Sequence, residues 1–145
     1  YGSFPTTTEA GYVAQKMAEL GVFDISQNGA SDDADGDGVT NIEEILLNTD
    51  PTDVSDQPVS SGATTIDGTD FIMEFVRLKL SETPNGVAVV VESSDLSNTW
   101  SVVPDLESKL SLATDQSGIG SDYERVELRV DMTAFPCNFF RLSVQ

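Results

Sequence analysis

The chain has 145 residues, 39% of them hydrophobic and eleven of them aromatic, with 25 acids against seven bases and a formal net charge of −18. That is enough apolar material for one domain with a small attachment, and too much for a disordered acidic tail. The acidity argues against nucleic acid and anionic membrane as partners. The absence of histidine, with a single cysteine, excludes histidine-dependent triads, zinc hydrolysis and an internal disulfide.

Residues 1–60 hold twelve acids and one base, Lys16, whereas residues 61–145 hold thirteen acids and six bases. A start at Tyr1 with no leader-like segment is the expectation for a processed or excised piece. The first periodic stretch, TTTEAGYVAQKMAELG, has Thr6 and Glu9 at capping-box spacing. Val13, Met17 and Leu20 fall on one helical face, and Gly21 is a suitable stop.

The next stretch, DDADGDGVTNIEEILLNTDP, places its carboxylates in a fixed order. Carboxylates this close repel one another unless a cation neutralises them. A calcium loop of the EF-hand type takes oxygens from positions 1, 3, 5, 7, 9 and 12 and turns sharply at a glycine in position 6. Asp33, Asp35 and Asp37 fill positions 1, 3 and 5, with Gly38 at the turn. Val39 would offer its carbonyl at position 7, Asn41 would bind directly or through water, and Glu44 would bind with both oxygens. The alternative is a solvated Asp/Gly turn, and a match at every ligand position favours Ca2+ over it. Magnesium suits the loop less well, since it prefers a near-ideal octahedron and keeps its waters. Asp32 and Glu43 add charge beside the loop, and Asp24 and Asn28 have only nearness in sequence to favour them.

These residues resemble the bacterial thrombospondin type 3 repeat, whose loop is kin to the EF-hand and dockerin loops and usually reads D-x-D-x-D-G-x-x-N-x-x-E and then G-T-D-P. The match covers Asp33, Asp35, Asp37, Gly38, Asn41, Glu44, Thr49, Asp50 and Pro51. Asn48 stands where the family usually has glycine, and asparagine tolerates the same backbone. The resemblance implies calcium binding and secretion. It extends to one copy of a repeat that elsewhere occurs in tandem.

Ile42, Ile45 and Leu46 share a face of the short helix that follows the loop, and Asn48 is placed to end it in the left-handed conformation. Neither helix is long enough to be stable alone. Asp50, Asp53 and Asp56 recur every three residues and read as turn formers around Pro51 and Pro58, with a second calcium site as the alternative.

After the Ser/Gly/Thr/Pro-rich stretch of residues 55–65 the period becomes two. Phe71, Met73 and Phe75 share one face of a strand over 70–80. The TPNG signal at 83–86 predicts a hairpin into a strand over 87–93. Further strands are expected over 99–104, 123–131 and 138–145, with Val126, Leu128 and Val130 inward. Trp100 reads as a core tryptophan, or otherwise as a sugar-stacking platform, and Cys137 as a small buried apolar residue. The segment from Val87 to Val103, with FFRLSV near the end of the chain, resembles a small terminal β-sandwich of secreted bacterial proteins. That resemblance implies a non-catalytic module.

The expected fold is mostly β: an antiparallel β-sandwich over 66–145, a linker over 57–65, and a helix–calcium loop–helix segment over 1–56. The expected function is a non-catalytic structural calcium module, secreted or at the cell surface, in which the ion fixes how the helical segment meets the sandwich. The alternatives are a subunit that self-assembles through its sheet edges and a sandwich that binds carbohydrate or protein. No stretch is long and apolar enough to insert in a membrane.

Overall fold

A computed structural model of the chain describes residues 8–58, 63–94, 99–133 and 139–145. It divides into two compact units. One comprises Tyr1–Pro58, Leu78–Ala88 and Val144–Gln145, and the other Val59–Arg77 and Val89–Ser143. Cys137 and Thr6 lie outside the described residues.

The first unit is helical. Helix α1 (Glu9–Glu19) is capped by Thr8, whose hydroxyl accepts the N–H of Gly11 at 3.1 Å. The cap is therefore two residues later than the Thr6–Glu9 spacing predicts. The helix ends as expected at Gly21, whose φ of 84° suits a residue without a Cβ. The N–H of Gly21 reaches the Ala18 carbonyl and that of Val22 reaches the Met17 carbonyl, so two carbonyls at the helix end are satisfied. Val13 and Met17 are fully buried. Leu20 lies past the last turn and is exposed, so the apolar stripe stops one residue short of its predicted length.

Helix α2 (Asn41–Leu46) has only six residues. Its N-terminus is closed by a capping box: Thr40 accepts from the Glu43 N–H while the Glu43 carboxylate accepts from the Thr40 N–H. Asn48, at φ 64°, ends it in the left-handed conformation, and the Thr49 N–H bonds the Glu44 carbonyl at 2.9 Å. The two helices pack on each other, and Val13, Met17, Ile42, Ile45 and Leu46 make a small shared core. Each such side chain contributes roughly 1.5–3 kcal/mol on burial, which is what makes helices of this length persist.

The second unit is built on two antiparallel sheets. Strands β1 (Ala63–Asp67), β2 (Asp70–Leu78), β3 (Val89–Ser94) and β4 (Trp100–Val102) precede a single helical turn, α3 (Leu106–Lys109). Strands β5 (Leu110–Leu112), β6 (Tyr123–Asp131) and β7 (Phe139–Val144) follow it. The strand orders are β1-β2-β6-β5 and β4-β3-β7. The buried residues of β6 are Val126, Leu128 and Val130, as its alternation predicts. Met73 and Phe75 are buried from β2, Val89 and Val91 from β3. Phe71 on β2 stacks on Phe140 of β7, with ring centroids 4.5 Å apart and planes at 15°.

The predicted hairpin between β2 and β3 does not form, because the two strands belong to different sheets. Residues 79–83 take a helical turn instead. Glu82 and Thr83 donate backbone N–H groups to the carbonyls of Lys79 and Leu80, and the Thr83 hydroxyl bonds the Lys79 carbonyl at 2.8 Å. Asn85 pairs with Thr8 in an isolated bridge, and Ala88 exchanges two hydrogen bonds with Gln145. This connection thus finds its partners within the helical unit. Strand β1 begins at Ala63, inside the stretch whose composition reads as a linker. Among the described residues no helix is long and apolar enough to cross a membrane.

Candidate metal centre

The loop that joins α1 to α2 wraps its own amides around its own carboxylates. Asp33 takes three of them: Oδ1 accepts from the N–H of Gly36 at 2.9 Å and of Asp37 at 3.2 Å, and Oδ2 from that of Gly38 at 2.7 Å. Asp35 Oδ1 accepts from the Asp37 N–H at 3.2 Å, and Asp37 Oδ1 from the Val39 N–H at 2.8 Å. Gly36 and Gly38 sit at φ 74° and 92°, so the turn needs residues free to enter the left-handed region. The outcome is that Asp33, Asp35 and Asp37 each bring a carboxylate oxygen to within 4.8 Å of the others. The Gly38 N–H, ahead of the other loop amides, holds the pKa of Asp33 below its ordinary value, whereas burial lifts that of Asp35 above its own.

Glu44 approaches from α2, near enough to feel the charges of Asp35, Asp37 and Asp33, although it is not part of the group that lies within 4.8 Å. Its side chain is fully buried. One oxygen, Oε1, accepts a long hydrogen bond from the Thr49 hydroxyl at 3.3 Å. Burial, followed by the negative charges of Asp35, Asp37 and Asp33, pushes its pKa up to about 8. Three buried oxygens have no hydrogen-bond partner among the described residues: Asp35 Oδ2, Asp37 Oδ2 and Glu44 Oε2. A buried carboxylate oxygen left in this way is costly. No ion pair among the described residues relieves it: Lys16, in the same unit, pairs with Glu19. The donors are all hard oxygens, without imidazole or thiolate, a set suited to calcium rather than zinc. Asp33, Asp35, Asp37 and Glu44 would hold the ion, with the Val39 carbonyl in the same loop.

Asn41, the remaining predicted ligand, bonds the backbone on both sides of the loop's first aspartate. It is fully buried; its Oδ1 accepts from the Ala34 N–H at 3.3 Å, and its Nδ2 donates to the carbonyls of Gln27 at 2.7 Å and Gly29 at 2.8 Å. Glu43 and Asp32, both expected beside the loop, serve its backbone: Glu43 in the capping box, Asp32 by accepting the Gly29 N–H at 2.9 Å. Asp24 closes a turn onto Ser26 and is not part of the cluster. Asp50 and Asp53 bind the N–H and hydroxyl of Thr52 and of Ser55, and Asp56 accepts the Asp50 N–H, so the three act as turn formers.

Two features of the site were missed in the sequence. The Thr40–Glu43 capping box was legible, as T-N-I-E has the required spacing. Thr49 had no such signal, because its reach to Glu44 depends on how α2 ends. Trp100 is half-buried, and the Arg141 guanidinium lies 4.1 Å from its ring centre while bonding Glu92 at 2.8 Å. A sugar stacking on that face would have to displace the guanidinium. Comparison with protein-family models, curated proteins and solved structures finds no match to this chain.

Proposed function

We propose that this chain is a non-catalytic calcium-binding structural module of an extracellular protein, with a loop of the thrombospondin type 3 kind ordering a helical unit and a β-sandwich as its second unit. The observation that carries the reading is Glu44: a carboxyl group wholly inside the protein, with one oxygen unpartnered, under the charges of three aspartates and in no ion pair among the described residues. An acidic cluster alone would not suffice, since exposed acids commonly need no ion. A buried one must either keep a proton or find a counter-charge. The sandwich reading is supported by the stacking of Phe71 on Phe140 across the two sheets and by the alternation of β6.

The extracellular address is an expectation from affinity. If this single loop binds at the roughly 10⁻⁴–10⁻³ M of extracellular modules, it would be substantially filled outside the cell and empty in the cytosol. Titration calorimetry on the wild type and on Glu44→Gln tests the assignment. Calcium binding by the wild type and none by the variant is expected, and equal binding by both ends it.

Self-association is the second reading. The outer strands β1 and β5 of the larger sheet carry Ile66 and Leu112, both about two-thirds exposed at 67% and 66%. Sedimentation across a concentration series, with and without calcium, decides it: a monomer throughout removes this reading.

A further inference from the structure

We propose that Asn41 is a positioning residue for the cation loop and not one of its ligands. This rests on the calcium reading above and sharpens it, because position 9 of such a loop is where an oxygen ligand, direct or through water, is expected. The orientation of the amide is fixed by its surroundings. Two carbonyls, of Gln27 and Gly29, face the nitrogen, and one N–H, of Ala34, faces the oxygen. Exchanging the two ends would set acceptor against acceptor twice and donor against donor once. Both donor hydrogens are therefore engaged by the backbone ahead of the loop, in a side chain that is fully buried.

The main chain of the same helical turn adds to the clamp. The Asn41 N–H bonds the Asp32 carbonyl at 2.8 Å, and the Ile42 N–H bonds the Ala30 carbonyl at 3.1 Å. Asn41 thus grips the residues on either side of Asp33, through Asp32 and Ala34. It also stands one turn before Glu44 on the same helix. The first and last carboxylates of the loop are held in mutual register by this one residue. A donor pair is essential to that task. Aspartate, which has an oxygen in each place, would serve a ligand position at least as well as asparagine but would face two carbonyl oxygens here.

The experiment is a calcium titration of wild type and Asn41→Asp, with amide hydrogen exchange at residues 41 and 42 followed over the same calcium range. The expected result is a loss of at least about tenfold in calcium affinity despite the added carboxylate, with faster exchange at both amides in the chelated variant and protection regained at saturating calcium. Binding by Asn41→Asp as tight as the wild type, or tighter, overturns the proposal and makes position 41 a ligand. A variant whose residues 27–46 stay unprotected at saturating calcium also overturns it, by reducing Asn41 to a general folding residue. Failure of the wild type to bind calcium is a separate result. It removes the calcium reading, while exchange at residues 41 and 42 still reports whether the clamp exists.

Discussion

The two units solve the same problem, how to hold carboxylates in a folded chain, in opposite ways. In the sheet unit arginines do it. Arg77, on β2 and only 5% exposed, bonds Glu107 through both terminal nitrogens at 2.6 and 2.8 Å and Glu124 through Nε at 2.9 Å. These bonds outweigh the effect of burial and keep it firmly charged. Arg129 reaches Asp70 at 2.9 Å and Asp67 at 3.3 Å, and Arg141 reaches Glu92 at 2.8 Å. In the helical unit, among the described residues, the single ion pair is Lys16 with Glu19 at 3.8 Å, away from the loop. One unit carries its counter-charges in its sequence. The other has few of its own, and on the calcium reading proposed above it would take them from solution, so that its stability would depend on ions and on pH.

The largest effect that tests this contrast is Arg77→Ala. Breaking a buried pair by removing one partner costs about 3–5 kcal/mol; because Glu107 is half exposed and Glu124 is not fully covered, the loss should lie at or below the lower end of that range, and it should appear in denaturant unfolding of the sheet unit to the same extent with calcium and with chelator. A calcium-dependent loss would break the comparison.

The pH response of the helical unit comes next. Glu44 has a folded pKa of about 8 against an ordinary 4.5. Between these values the folded state binds the proton that the unfolded state has released. Without metal, stability therefore falls as pH rises through that window, by an amount on the order of a few kcal/mol once the window is crossed. Asp33, held below its ordinary 3.8, acts in the other sense, and only in the more acid range. Calcium displaces the Glu44 proton, so its apparent affinity should weaken up to about tenfold per pH unit below about 8. Glu44→Gln should flatten the pH dependence of the metal-free protein, as read by thermal melts across pH.

Chelation has a smaller effect. At tenfold saturation the ion contributes about 1.4 kcal/mol, enough to order α1, α2 and their loop and too little to support the sheets. Hydrogen exchange should show residues 8–58 loosening on addition of a chelator while 63–77, 89–94 and 99–133 keep their protection. A single cooperative loss over both would mean that the units do not differ in this respect. The smallest effect is expected at Asn48. Alanine there would have to hold a left-handed conformation, at about 1 kcal/mol, whereas glycine should match or slightly exceed the wild type in melting temperature.

The parts of the molecule that local rules decide were legible in the sequence. The ends of α1 and α2 follow from a glycine and an asparagine that tolerate positive φ, and β6 from strict alternation. The gathering of Asp33, Asp35 and Asp37 was legible because alternate aspartates with Gly36 and Gly38 between and after them form a tight turn. Asn41 was assigned by the ligand spacing of a calcium loop alone. Its actual bonds reach back to Gln27 and Gly29, and no twelve-residue pattern contains them. The missing hairpin has a similar cause: a turn signal specifies a change of direction and leaves the pairing partner open, and here the sheet order was decided by contacts far apart in sequence. Arg77 continues the inward parity of Phe71, Met73 and Phe75, and its burial depends on two acids, 30 and 47 residues away, that no window would connect to it.

The reciprocal bonds between Ala88 and Gln145 bear on how the molecule can be dissected. The helical unit includes residues 78–88 and 144–145 as well as the first 58. Its segments are therefore interleaved along the chain with those of the sheet unit. A fragment ending at residue 58 lacks pieces of the unit it would be cut to represent, so the acidic loop is best probed in the whole chain.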